Sequence, residues 1–216
     1  PVVFRKTMAS INSEIMLSES DPARKWWFTP WQPDCLMDVE DRTLLAEQEW
    51  WTLKKSDSWH MFQDMDDSGI MLDPFKVTIT TPGITRDGCL DSWGIPAAIV
   101  TMWLRSRGIM VEKTGHYSWL LLFSIGITKG KSGTLLAELF RFKELYDEDA
   151  ELEEILPDLV KQYPDEYSEM TIQQLCKRMH AFLREYRLVE GMLSCFRILP
   201  RQAMTPAQAY RGMVRG

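Results

Sequence analysis

Histidine and cysteine are scarce. The only three histidines in 216 residues are His60, His116 and His180, and no two stand at a ligand spacing such as i, i+4. The four cysteines, Cys35, Cys89, Cys176 and Cys195, lie far apart with no C-x-x-C pair. Together these shortages argue against a metal site, a zinc knuckle or a disulfide framework, and reduced thiols in the cytoplasm are the expectation. Long apolar runs are also missing. The longest, Trp119 to Phe123, meets Ser124 and Gly126 at once and falls far short of the roughly 20 residues that cross a bilayer. Neither an internal repeat nor a basic-then-apolar leader is present, and Pro1 stands where Met would be, so the expectation is a piece of a longer soluble protein.

A basic surplus is absent too. The net charge of −6 is unevenly placed, with ten acids against one base in 147–170 and eight bases against two acids in 171–216. A nucleic-acid surface needs a basic patch without an acidic one beside it, so no nucleic-acid partner is expected. Helices packing on one another or on a second subunit fit this dipolar pattern better.

What the chain has in quantity is apolar bulk: 45% hydrophobic residues, nine tryptophans and thirteen methionines, enough for a real core. Phe4, Met8, Ile11, Ile15 and Met16 have helical spacing over 1–20, and "SDPARK" (20–25) ends that pattern with a turn. From Trp26 to His60, six tryptophans mixed with turn formers read as strand and loop packed under something large. "FKVTITTPG" (75–83) alternates as a half-buried strand ending at Pro82–Gly83. "GIPAAIVTMWLRSRG" (94–108) reads as a helix, with Pro96 in its first turn and Gly108 as its stop. Strands are expected at 108–114 and 118–127, then a helix capped by Ser132 and running to about Asp147, with Leu135, Leu136, Leu139, Phe142, Leu145 and Tyr146 facing the core. Beyond it the pattern is helical: Thr171-x-x-Gln174 and Thr205-x-x-Gln208 are capping boxes, the first opening an apolar stripe of Ile172, Leu175, Met179 and Phe182. The fold class is α+β, a small domain over 1–146 followed by a mostly helical segment over 147–216.

Several residues suggest chemistry. "VEKTG" (111–115) sets Glu112 at a strand end beside a very apolar strand; it is either a surface ion or a carboxylate for a substrate's ammonium or guanidinium group. His60 and His116 lie beside aromatics, and a hydrogen-bonded structural role is favoured for each over acid–base work. "GITKGKS" (126–132) is one residue short of a phosphate loop, and Ile125 occupies the place where the longer spacing wants glycine. The acidic run 146–158 lacks the alternating oxygen ligands of a calcium loop and reads as a solvated helix start. For the tryptophan cluster, core or subunit packing is preferred to a ligand platform.

Read together, "WWFTPWQPD" (26–34), "SDSWHMF" (56–62), "LDPFKVTITTPG" (72–83), "GIPAAIV" (94–100), "GIMVEKTGHYSWLLLFSIGITK" (108–129), "LLAELFRFKELYD" (135–147) and "MTPAQAY" (204–210) resemble the bacterial ornithine/lysine/arginine decarboxylases, which use pyridoxal phosphate. "GITKGK" and "WWF" look closer to the lysine branch. The resemblance implies the end of a connecting helix and a small aminotransferase-like (fold type I) domain over 1–146, then the start of a helical C-terminal domain over 147–216. It also implies that the cofactor lysine and ring contacts lie upstream of Pro1. Lys113 and Lys131 lack the family's Ser-x-His-Lys setting, so no catalytic residue is expected in this stretch. Glu112, at the glutamate of the family's "VEKTG" motif, is expected to face the distal cationic group of the substrate. Other implications are a homodimer or higher oligomer, no membrane partner, and no guanosine alarmone, because Asp147, Glu148, Asp149, Glu151, Glu153 and Glu154 stand where some members have basic residues. Two competing readings remain: a non-catalytic oligomerisation or interaction module on the same fold, and a small nucleotide-binding protein using 126–132.

Overall fold

In the computed structural model, which describes residues 1–18, 26–60, 62, 65, 69–85, 87–124 and 126–215, four short strands form one antiparallel sheet. They are β1 Thr29–Pro30, β2 Lys76–Thr80, β3 Lys113–Thr114 and β4 Ser118–Leu122, in the order β1-β2-β4-β3. The alternation read over 75–83 is realised, because successive side chains of a strand point to opposite faces. Val77 and Ile79 are buried opposite Leu121 and Trp119, whereas Thr78 and Thr80 pair with Leu120 and Ser118 on the other, half-open face.

β3 and β4 are shorter than the expected 108–114 and 118–127. Gly108 adopts φ 76°, and the Ile109 N–H turns back to the Leu104 carbonyl at 2.9 Å, so residues 108–109 finish a helix before any strand begins. That helix is α3, Ala97–Ser106; it follows α1 (Val2–Ser18) and α2 (Asp41–Ala46). α4 is Lys129–Asp147, four residues longer at its start than Ser132 capping allows: Thr128 is the cap, its hydroxyl accepting from Lys131 N. Three short helices follow, α5 (Leu152–Ile155), α6 (Pro157–Gln162) and α7 (Pro164–Tyr167), then α8 (Ile172–Glu185), α9 (Leu188–Cys195) and α10 (Pro206–Arg215). Both capping boxes form, Thr171 with Gln174 and Thr205 with Gln208, each pair exchanging two hydrogen bonds. "SDPARK" and the side chains of Ile15 and Met16 lie outside the described residues.

The closed face of the sheet meets α3 and α4 in one core that joins Val77, Ile79, Trp119 and Leu121 to Ile99, Trp103, Leu139 and Phe142. Each such side chain contributes about 1.5–3 kcal/mol by leaving water. Trp103 also donates its indole N–H to the Glu138 carbonyl at 3.0 Å, tying α3 to α4. The stretch after Trp26 was expected to be strand and loop; it holds the strand β1 and loop, and also α2 and two 3-10 turns. It has a small core of its own, in which Leu36, Leu44, Trp51, Leu53, Trp59 and Leu72 surround one another. Trp26 and Trp27 belong to the larger core.

Compactness divides the chain into two units, Pro1–Phe182 and Leu183–Gly216. Leu152, Ile155, Val160, Ile172, Leu175 and Cys176 extend the main core, so the change at 147 is one of element type without a break in packing. Along α8, Ile172 and Leu175 are buried as expected, but Phe182 is exposed. Among the described residues no helix is long and apolar enough to cross a membrane, and no cluster of three or more His, Cys, Asp or Glu is arranged to hold a metal ion.

Candidate functional site

Glu112 stands immediately before β3, and its N–H donates to the Leu120 carbonyl at 2.8 Å. β3 is an edge strand with a single neighbour, β4, so the geometry of Glu112 depends on the turn that joins the two. That turn is held at several points. Gly115 N–H donates to Ser118 O at 2.7 Å, Ala97 N–H at the start of α3 to His116 O at 2.8 Å, and Thr81 N–H beyond β2 to Tyr117 O at 2.9 Å. Thr114 adds a hydroxyl contact to Thr101 on α3 at 3.2 Å. The Glu112 carboxylate is exposed and has no hydrogen bond or ion pair with any described residue. Lys113 is exposed and lies opposite Leu120 in the register. The half-buried His116 makes its hydrogen bond here through its backbone carbonyl.

His60 is structural, as favoured. It is buried, its Nδ1 accepts from Phe62 N–H at 3.0 Å, and its Nε2 therefore donates to the Lys54 carbonyl at 3.0 Å. Sequence reasoning passed over His180, which is buried and engaged at both ring nitrogens, to the Tyr117 hydroxyl at 2.7 Å and the Asp91 carbonyl at 3.0 Å. A signal existed: position 180 follows Ile172 and Cys176 at helical spacing, on the face that is buried. Arg5 was missed as well. Its guanidinium is buried, donates to the carbonyls of Lys76 (2.8 Å), Trp31 (3.3 Å) and Pro74 (3.4 Å), and lies over the Trp51 ring. Burial pulls Arg5 down to about 10, against the opposing pull of Asp73.

The phosphate-loop reading fails on geometry. Residues 129–132 are the first turn of α4, Thr128 already takes the Lys131 N–H, and the Lys131 ammonium donates to Gly126 O at 3.2 Å. In the acidic run the charges are partly committed. Lys143, buried over the Trp27 ring, pairs with Asp147; Arg141 meets Glu154 at 3.3 Å; Asp149 accepts from Gln173 N–H at 3.2 Å.

Two grooves flank the sheet edge. One of about 370 Å³ is lined by Arg107, Ile109, Met110, Leu122, Ile127 and Lys131 among others, and one of about 190 Å³ by Ala98, Thr101, Met102, Arg105, Val111 and Thr114. Neither brings a lysine amine together with a carboxylate. Neither of these two grooves therefore fits pyridoxal phosphate, which needs an anchoring amine and an acid partner for its ring nitrogen.

The family profile described as "Orn/Lys/Arg decarboxylase, major domain" matches residues 2–131. The chain is 41% identical over 213 residues to lysine decarboxylase LdcA of Pseudomonas aeruginosa, covering 99% of this chain and 27% of that protein. It is 37% identical over 224 residues to the biodegradative arginine decarboxylase of Escherichia coli K12, covering 99% of this chain and 29% of the relative. The structure of the E. coli constitutive lysine decarboxylase superposes with a TM-score of 0.83 at 41% identity, over 99% of this chain and 28% of that one. The chain thus spans little more than a quarter of the length of the proteins it matches.

Proposed function

This chain belongs to the Orn/Lys/Arg decarboxylase family, and from that premise we propose that it is part of a pyridoxal-phosphate-dependent decarboxylase of a basic amino acid, forming a diamine or polyamine precursor and CO2. Lysine is the first substrate to test, with arginine and ornithine next. The observation that carries this reading is likeness to decarboxylases across 99% of the chain, in sequence and in fold alike. Within it, residues 1–146 are the end of a connecting helix and the small aminotransferase-like (fold type I) domain, and 147–216 open the helical C-terminal domain. The cofactor is held by parts of the subunit outside this stretch, and the whole works as a cytoplasmic homo-oligomer.

The role we assign here is recognition of the substrate's far end by Glu112. A carboxylate without a partner among the described residues, at a pinned strand edge, is suited to accept hydrogen bonds from an ammonium group, and such charge-assisted bonds are about twice as strong as neutral ones. In the full-length enzyme, Glu112→Gln is expected to raise KM for the diamino acid about tenfold or more. Steady-state kinetics with wild-type KM in that variant would remove Glu112 from the site. Exposed Glu148, Glu151 and Glu153 leave the region after α4 unfavourable to a polyphosphate, so added guanosine alarmone is expected to leave the rate unchanged.

A further inference from the structure

We propose that Tyr117 and His180 are positioning residues for Glu112: their buried hydrogen bond locks the β3–β4 turn, and with it the carboxylate that reads the substrate's distal cation. The inference rests on the reading of Glu112 given above. Because the Asp91 carbonyl only accepts, Nε2 of His180 carries the proton toward it, and neutral Nδ1 is left to accept from the Tyr117 hydroxyl. That bond reaches from α8 to the residue immediately before β4, across 63 positions of sequence. The ties on the turn described above are made by backbone groups, or by Thr114 to α3, and Tyr117–His180 brings α8 to it through side chains.

The space around the pair is shaped for it. A Cβ at Gly83 would stand 2.1 Å from the Tyr117 ring, and one at Gly94 2.5 Å from His180 Nδ1, so both positions are left bare where the two rings pass. β3 has only two residues and one partner, and it cannot hold its own register against a shift of the turn. A small displacement there moves Glu112, which leaves the cofactor chemistry untouched and weakens capture of the substrate's far end.

The test uses the full-length enzyme with Tyr117→Phe, His180→Leu, His180→Asn and Glu112→Gln, reading kcat and KM for the diamino acid, with thermal melting and cofactor absorbance as folding controls. Tyr117→Phe and His180→Leu are each expected to raise KM about 3- to 10-fold with kcat within about twofold. His180→Asn, which offers an amide oxygen near the position of Nδ1, should recover most of the loss. In a Glu112→Gln background, Tyr117→Phe should add nothing further, because the group it positions is gone. An unchanged KM in Tyr117→Phe and His180→Leu, or an equal rise with and without Glu112, overturns the inference while leaving the role of Glu112 standing. A wild-type KM in Glu112→Gln alone overturns that role, and the positioning inference with it. Should His180→Leu fail to fold, Tyr117→Phe, which removes one oxygen atom, decides the matter.

Discussion

At the scale of single residues, the buried polar groups carry the sharpest expectations. Arg5 satisfies three carbonyls that lie between Trp31 and Lys76, so Arg5→Met leaves them without their donor in a desolvated place. A loss of about 2–4 kcal/mol is expected, read as a lower urea midpoint. Arg5 was invisible in the sequence because one arginine among apolar helix positions reads as surface charge; only the fold brings carbonyls from 31, 74 and 76 to it. Glu112 stood out in the sequence by its motif, and the fold leaves it exposed just before β3. Cys176 is buried, and desolvation, with Asp149 second, pushes its thiol well above the ordinary range, whereas Cys35, Cys89 and Cys195 are exposed. Thiol alkylation of the folded protein followed by peptide mapping is expected to label those three and spare Cys176.

At the scale of elements, caps and periodicity were mostly readable and boundaries were not. The two capping boxes form as spelled, because their chemistry is local to four residues. The start of α4 was misplaced because Thr128 and Ser132 are equally good caps on paper, and only the path of the chain out of β4 selects the earlier one. Thr128→Ala is therefore expected to cost about 1 kcal/mol in thermal unfolding, and Ser132→Ala, now inside the helix, close to nothing. The strand after α3 came out short for a similar reason: a glycine in the left-handed region ends the helix and uses up residues that alternate like a strand. The exposed Phe182 shows the limit of stripe reading in α8, where the apolar spacing continues past the residues that are buried.

At the scale of the whole molecule, the α+β mixture and the order of its elements were legible because period-2 and period-3.6 patterns are strong in 75–83, 94–108 and 129–147. The division into compact units was not, since composition changes at 147 while the core runs on to Cys176. That core also holds Tyr146, which burial raises along with Cys176. Both groups stay neutral when folded and ionise when unfolded, so above the ordinary thiol value of 9.0 the unfolded state binds fewer protons and stability falls as pH rises. Urea midpoints taken at pH 7.5 and above pH 9 should show the decline, and Cys176→Ala should flatten part of it. The strand order carries a consequence for the rate at which the fold is reached. β3 and β4 meet across a short turn and can zip early, but β4 finds β2 only after a loop of roughly forty residues closes around α3, and β1 waits on a longer one still. Substitutions at the Ile79–Trp119 pair should therefore slow refolding, whereas those in β1 should leave refolding alone and hasten unfolding.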